Sequence, residues 1–145
     1  MNKKRSLLRA ALLCSAAWAA AGAPRALAAD LDISITANAD QTLSFTKPDG
    51  SSADPLVAKR SDRISWLSPT VPNNETLVLY GVYFKETPFD QGGKDDSGGI
   101  GPSKFAKKVK SRAAKKEYKY EVVVITRDQA NNVKAYYVDP RIVIE

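Results

Sequence analysis

Histidine is absent from all 145 residues, and cysteine and methionine occur once each, at Cys14 and Met1. A Ser-His-Asp or Cys-His nucleophile therefore cannot be assembled. Copper and zinc sites are excluded on the same ground, because both ions prefer the ligands that are missing. With one cysteine no intramolecular disulfide can form, so stability must come from a packed core. Long apolar runs are scarce too. The Ala/Leu-rich stretch near the N-terminus, residues 12–23, falls short of the roughly 20 residues a membrane span needs.

What is present begins with an export signal. Lys3, Lys4, Arg5 and Arg9 form a positive n-region, residues 12–23 form an Ala/Leu h-region, and Ala26-Leu27-Ala28 puts small residues at −3 and −1. Residues 1–28 read as a secretory signal peptide cleaved after Ala28, with Ala29 the second choice and a retained anchor helix the alternative. Leu13 stands where a lipobox needs a small residue before Cys14, and Lys4-Arg5 is a poor twin-arginine pair. The reading is therefore a general secretory leader, with a periplasmic or secreted product. Removing it changes the charge argument. The chain holds 22 Lys+Arg against 16 Asp+Glu. Lys3, Lys4, Arg5, Arg9 and Arg25 leave with the leader, so 17 basic residues remain against 16 acidic ones, a net +1. The basic whole-chain balance then carries no case for a nucleic-acid partner. Cys14 leaves as well. Residues 29–145 suffice for one domain with an ordinary core, and no membrane span is expected after signal removal.

The mature chain is patterned for strands. Residues 31–37, Leu-Asp-Ile-Ser-Ile-Thr-Ala, alternate strictly, and residues 41–46 repeat the pattern with Leu43 and Phe45. Lys47-Pro48-Asp49-Gly50 is turn chemistry. Short apolar stretches follow at Leu56-Val57 and at 63–67, where Ile64 and Trp66 share a face directed to the core. Residues 76–85 form a long β-rich run in which Gly81 predicts a bulge or bend. Residues 86–103 hold five of the eight glycines and predict a long loop, functional or mobile. Residues 117–125 place Tyr118, Tyr120, Val122 and Val124 on one face. A turn at 128–132 and returning strands at 134–138 and 141–144 close the chain, with Pro140 confined to an edge or bulge. The expectation is an all-β fold, a single Greek-key β-sandwich of seven to eight strands.

The ambiguous stretch is basic. Lys104, Lys107, Lys108, Lys110, Arg112, Lys115, Lys116 and Lys119 place eight positive charges in sixteen residues, against Glu117 alone. Local propensity over 104–116 favours helix. The strand reading, favoured here, puts Lys108, Lys110 and Arg112 on one face and Phe105, Val109 and Ala113 on the other. These cations either guard an exposed sheet edge or contact an anionic partner, an envelope polymer or an acidic protein.

Two segments carry a family resemblance. Ser61-Asp62-Arg63-Ile64-Ser65-Trp66 resembles the Gly/Ser-Asp-x-Val/Ile-x-Trp strand of cupredoxin-like domains. Ala114 through Val122 resembles their late Pro-Gly-x-Tyr-x-Tyr-x-Cys strand, an entry shared with immunoglobulin-like sandwiches, where the first Tyr anchors a corner. The resemblance implies a sandwich without its copper. Val122 stands at the Cys position, and neither His nor a second Met is present. No cofactor is expected.

Other constellations are weak. Ser44 and Lys47 have Ser-x-x-Lys spacing but lie at a strand-to-turn junction, where a dyad cannot face one way. Asp90, Asp95 and Asp96 could offer oxygens to Ca²⁺, but their spacing is not that of an EF-hand and Lys94 intrudes. Asn74-Glu75-Thr76 is a glycosylation sequon of common chance occurrence. Of Tyr136 and Tyr137 only one can point inward, leaving the other for a partner. The functional expectation is a non-catalytic exported binding or interaction module. A structural component of an envelope assembly is the alternative, and an enzyme of unrecognised type the remaining one.

Overall fold

Alternating apolar residues dictate nine strands in the computed structural model, which describes residues 27–90 and 104–145. They are β1 (Asp30–Ala37), β2 (Leu43–Thr46), β3 (Leu56–Ala58), β4 (Arg63–Trp66), β5 (Glu75–Phe84), β6 (Phe105–Lys108), β7 (Glu117–Asp128), β8 (Val133–Val138) and β9 (Arg141–Ile144). All but two residues of the signal-peptide reading lie outside the described residues, as do 91–103 of the glycine-rich loop, with Asp95 and Asp96.

The strands pack as a β-sandwich of two sheets. One has the order β2-β1-β4-β6, with β1 and β4 parallel; the other has the order β3-β9-β7-β5, with β8 also on β7. β8 and β9 lie along one line. Val122 faces Val138 and Lys119 faces Arg141, three residues on in both directions, so the register never breaks. Pro140, lacking an N–H, interrupts the ladder between them while its carbonyl accepts from Tyr120 N at 3.1 Å. The predicted count of seven to eight strands becomes nine because the short stretch at Leu56 and the basic stretch at Phe105, both open from sequence, each form a strand, β3 and β6.

The inward faces supply the core: Ile33 and Ile35 of β1, Ile64 and Trp66 of β4, Tyr80, Val82 and Phe84 of β5, and Tyr118, Tyr120, Val122 and Val124 of β7. Trp66 is fully buried and meets four rings, Phe84, Phe89, Phe105 and Tyr120, at centroid distances of 5.3–5.9 Å. Its indole N–H points at the Tyr120 hydroxyl, 3.4 Å away across the sheets. Tyr118 ties the corner before β7 by donating to the Ala114 carbonyl at 3.2 Å.

Two local expectations need correction. The bulge in β5 falls between Leu77 and Leu79, where Val78 is the extra residue, and Gly81 sits in regular register opposite Val123. Gly81 is required for a different reason. A Cβ there would lie 2.5 Å from the Tyr83 hydroxyl, because the Tyr83 ring lies over it. The basic stretch is extended only over β6 and a bridge at Val109; residues 111–112 then turn, closed by Ala113 N bonding Lys110 O at 3.1 Å. Val109 and Ala113 are buried, as the strand reading had them. The chain must pass from one sheet to the other between them, so Lys108, Lys110 and Arg112 do not form one row.

Candidate functional site

The eight basic residues are spread around the sandwich. Lys104, Lys107 and Lys108 lie at or on β6, the last strand of the four-stranded sheet. Lys110 and Arg112 lie at the turn, Lys115 and Lys116 on the approach to β7, and Lys119 on the outside of the other sheet. Lys104 pairs with Asp32 at 2.9 Å and Lys116 with Glu86 at 2.7 Å. Lys107 stands 5.4 Å from the centroid of the Phe105 ring. Lys108 lies directly opposite Arg63 across the β4–β6 ladder, and these two, with Lys107, Ala106 and Asp90, line a shallow hollow of about 430 Å³. Arg63 was not foreseen, because only the register brings it beside Lys108.

The outer faces of the two sheets differ sharply. On the four-stranded sheet the outward positions of β1, β2 and β4 are polar: Ser34 faces Thr46, Thr36 faces Ser44, and Asp32 faces Ser65. That is the ordinary pattern for a sheet with one side in water. On the five-stranded sheet the inward Val122 and Val124 leave Val123 and Ile125 facing out. Val123 lies between Gly81 and Tyr137, and Ile125 between Leu79 and Ala135. Tyr83, with its ring over Gly81, and the 56% exposed Tyr137 complete an apolar strip. Val133, 61% exposed, extends it toward the hairpin.

The strip is bounded by charge. At one end Glu121 and Asp139 share a hollow of about 190 Å³ with Lys85 and Lys119. Hydrogen bonding to Asp139, then burial and the negative charges of Asp139 and Glu121, push the Tyr137 hydroxyl up to about 12. At the other end is Arg127, opposite Thr76 and Val133. Among the described residues neither Glu121 nor Arg127 enters an ion pair. The exposure of one of the adjacent tyrosines was legible from alternation. The apolar outer face was also legible, in the unbroken runs Val122-Val123-Val124-Ile125 and Leu77-Val78-Leu79-Tyr80, which normally mark strands buried on both faces.

A buried carboxylate network closes the hairpin end. The Glu75 side chain, 2% exposed, accepts from Thr126 Oγ1 at 2.6 Å, Tyr136 Oη at 2.8 Å and Lys134 Nζ at 2.5 Å. Lys134 and Thr126 hold its carboxyl below the usual range, against the opposing cost of burial. Glu75 is the middle residue of the sequon, so this position is structural. Ser44 lies within β2 and Lys47 directly after it, at the junction with the following turn. Among the described residues no group of three or more His, Cys, Asp or Glu side chains is placed to share a metal ion, and no helix is long and apolar enough to cross a membrane. Comparison with protein-family models and with curated proteins finds no match for this chain.

Proposed function

We propose that residues 29–145 are an exported, non-catalytic interaction module that docks a second copy of itself through the outer face of the five-stranded sheet. One observation carries the reading: the middle of β5 and of β7 is apolar on both faces, while the sandwich covers only one. Water-facing apolar strips on a sheet mark interaction surfaces when they are contiguous. The order Glu121, Val123, Ile125, Arg127 along β7 is self-complementary. A two-fold axis crossing β7 between Val123 and Ile125 lays apolar on apolar and sets each Glu121 against the other copy's Arg127. From Glu121 to Arg127 the strip is about 20 Å long, and three strands make it about 15 Å wide. That plan area, about 300 Å² on each copy, is well below that of a standard specific interface, so the association is weak and concentration-dependent. Sedimentation equilibrium tests this. Arg127→Glu and Glu121→Arg should each weaken self-association, and the double variant should recover it. A chain monomeric at every concentration, or a double variant no better than the single ones, overturns the reading.

A second reading, an anionic partner at the basic segment, is favoured by Arg63 opposite Lys108. Like charges directly across a ladder are destabilising, and an anion seated over that pair would relieve the repulsion. Asp30 flanks Arg63 on the other side and Asp90 lines the same hollow, which tempers the attraction.

A further inference from the structure

Ala29, the residue that follows the Ala26-Leu27-Ala28 signal, is the first one the fold holds. Its nitrogen lies 2.9 Å from Asp62 Oδ1, and its carbonyl accepts from Arg63 N at 2.8 Å. Leu27 is 94% exposed, and among the described residues no backbone hydrogen bond fastens 27 or 28. Asp62 is only 5% exposed. Its second carboxylate oxygen accepts from Lys59 N at 2.7 Å, and its main-chain carbonyl accepts from Val109 N at 2.8 Å. Its carboxylate thus joins the start of β1 to the turn before β4, and its main chain ties in the end of the basic strand. Among the described residues no side-chain cation forms an ion pair with it.

We propose that hydrolysis of the Ala28–Ala29 bond supplies the missing cation, the new α-ammonium of Ala29, which pairs with Asp62 and locks the first strand to the fold. This rests on reading residues 1–28 as an export signal. An exported peptidase adds water across the amide. The carboxylate stays on Ala28 and departs with the leader, and the Ala29 nitrogen takes up protons to become –NH₃⁺. One neutral N–H donor becomes a charged group with three, and hydrogen bonds between ionised partners are roughly twice as strong as neutral ones. Cleavage one residue later would remove Ala29 and leave Asp62 Oδ1 without its donor. The geometry therefore selects Ala28 over Ala29 as the last residue of the leader.

The test starts from the exported chain. Its intact mass should correspond to a protein beginning at Ala29; a first residue of Asp30 overturns the site. Urea unfolding of this chain is then compared with the same chain acetylated at the α-amino group, which keeps an N–H at that nitrogen and removes the charge. Acetylation should lower the midpoint by about 0.5 M or more, and Asp62→Asn should abolish the difference. Should Asp62→Asn fail to fold, the acetylation comparison decides alone. Equal midpoints for free and acetylated chains overturn the ion pair. An uncleaved precursor mass would instead sink the export reading itself.

Discussion

Replacing Trp66 with alanine tests the packing of the whole sandwich. The side chain is fully buried and meets the rings of Phe84, Phe89, Phe105 and Tyr120. Truncating a buried Phe or Trp costs about 3–5 kcal/mol, and edge-on aromatic pairs add about 0.5–1.5 kcal/mol each beyond their buried area. Three edge-on contacts and one tilted one place Trp66→Ala at the upper end of the range, about 4–5 kcal/mol. The Tyr120 hydroxyl, whose burial raises its pKa far above the usual value, would also lose its cross-sheet partner. A domain of this size has a total stability of roughly 5–15 kcal/mol, and no disulfide compensates. With a urea m-value of about 1–3 kcal/mol/M, the midpoint should fall by about 2 M. Far-ultraviolet circular dichroism on residues 29–145 is the assay, since Trp66 is the one tryptophan in that stretch and the variant would keep none. Trp66→Phe, which keeps a ring among the four, should lose much less. A Trp66→Ala midpoint within about 0.3 M of wild type would refute the placement of this residue.

Glu75→Gln should cost about 1–3 kcal/mol, because charge-assisted bonds from Lys134, Thr126 and Tyr136 are weakened where the side chain cannot turn to water. Its folded carboxyl titrates below the usual glutamate range because Lys134 and Thr126 hydrogen-bond it. Its contribution is therefore present above that range and lost as the pH falls through the folded value, so stability curves of wild type and Glu75→Gln should converge in acid. Curves that stay parallel from neutral pH into acid would count against the network. For the basic segment, wild type should be retained on heparin at low ionic strength and released toward physiological salt. The Lys108→Glu/Lys110→Glu/Arg112→Glu variant should elute earlier. Equal elution would leave edge protection as the role of these cations.

The sandwich was legible because its strands carry their own pattern. Leu31 to Ala37 and Tyr118 to Val124 alternate in a way that only a half-buried strand satisfies, and Asn131, at φ 68°, and Gly50, at φ 82°, mark turns by residue type. Trp66 was legible as inward because Ile64 shares its face, whereas the choice of Tyr136 over Tyr137 was not, since Lys134 shares the face of Tyr136 and Ala135 that of Tyr137. Pairing was not legible. Nothing local says that Lys108 lies across from Arg63, that Glu75 gathers donors from β7 and β8, or that Asp62 reaches back 33 residues to Ala29. Gly81 shows the limit within a single strand: the glycine signalled an irregularity, but the bulge falls at Val78, and Gly81 itself sits in register beneath the Tyr83 ring. The sequence by itself determined period, polarity and what chemistry is missing, since these depend on residue type and on separations of one or two positions. Only the tertiary structure decided which charges meet and which apolar face stays uncovered, because register and sheet order are set by contacts between residues far apart in the chain.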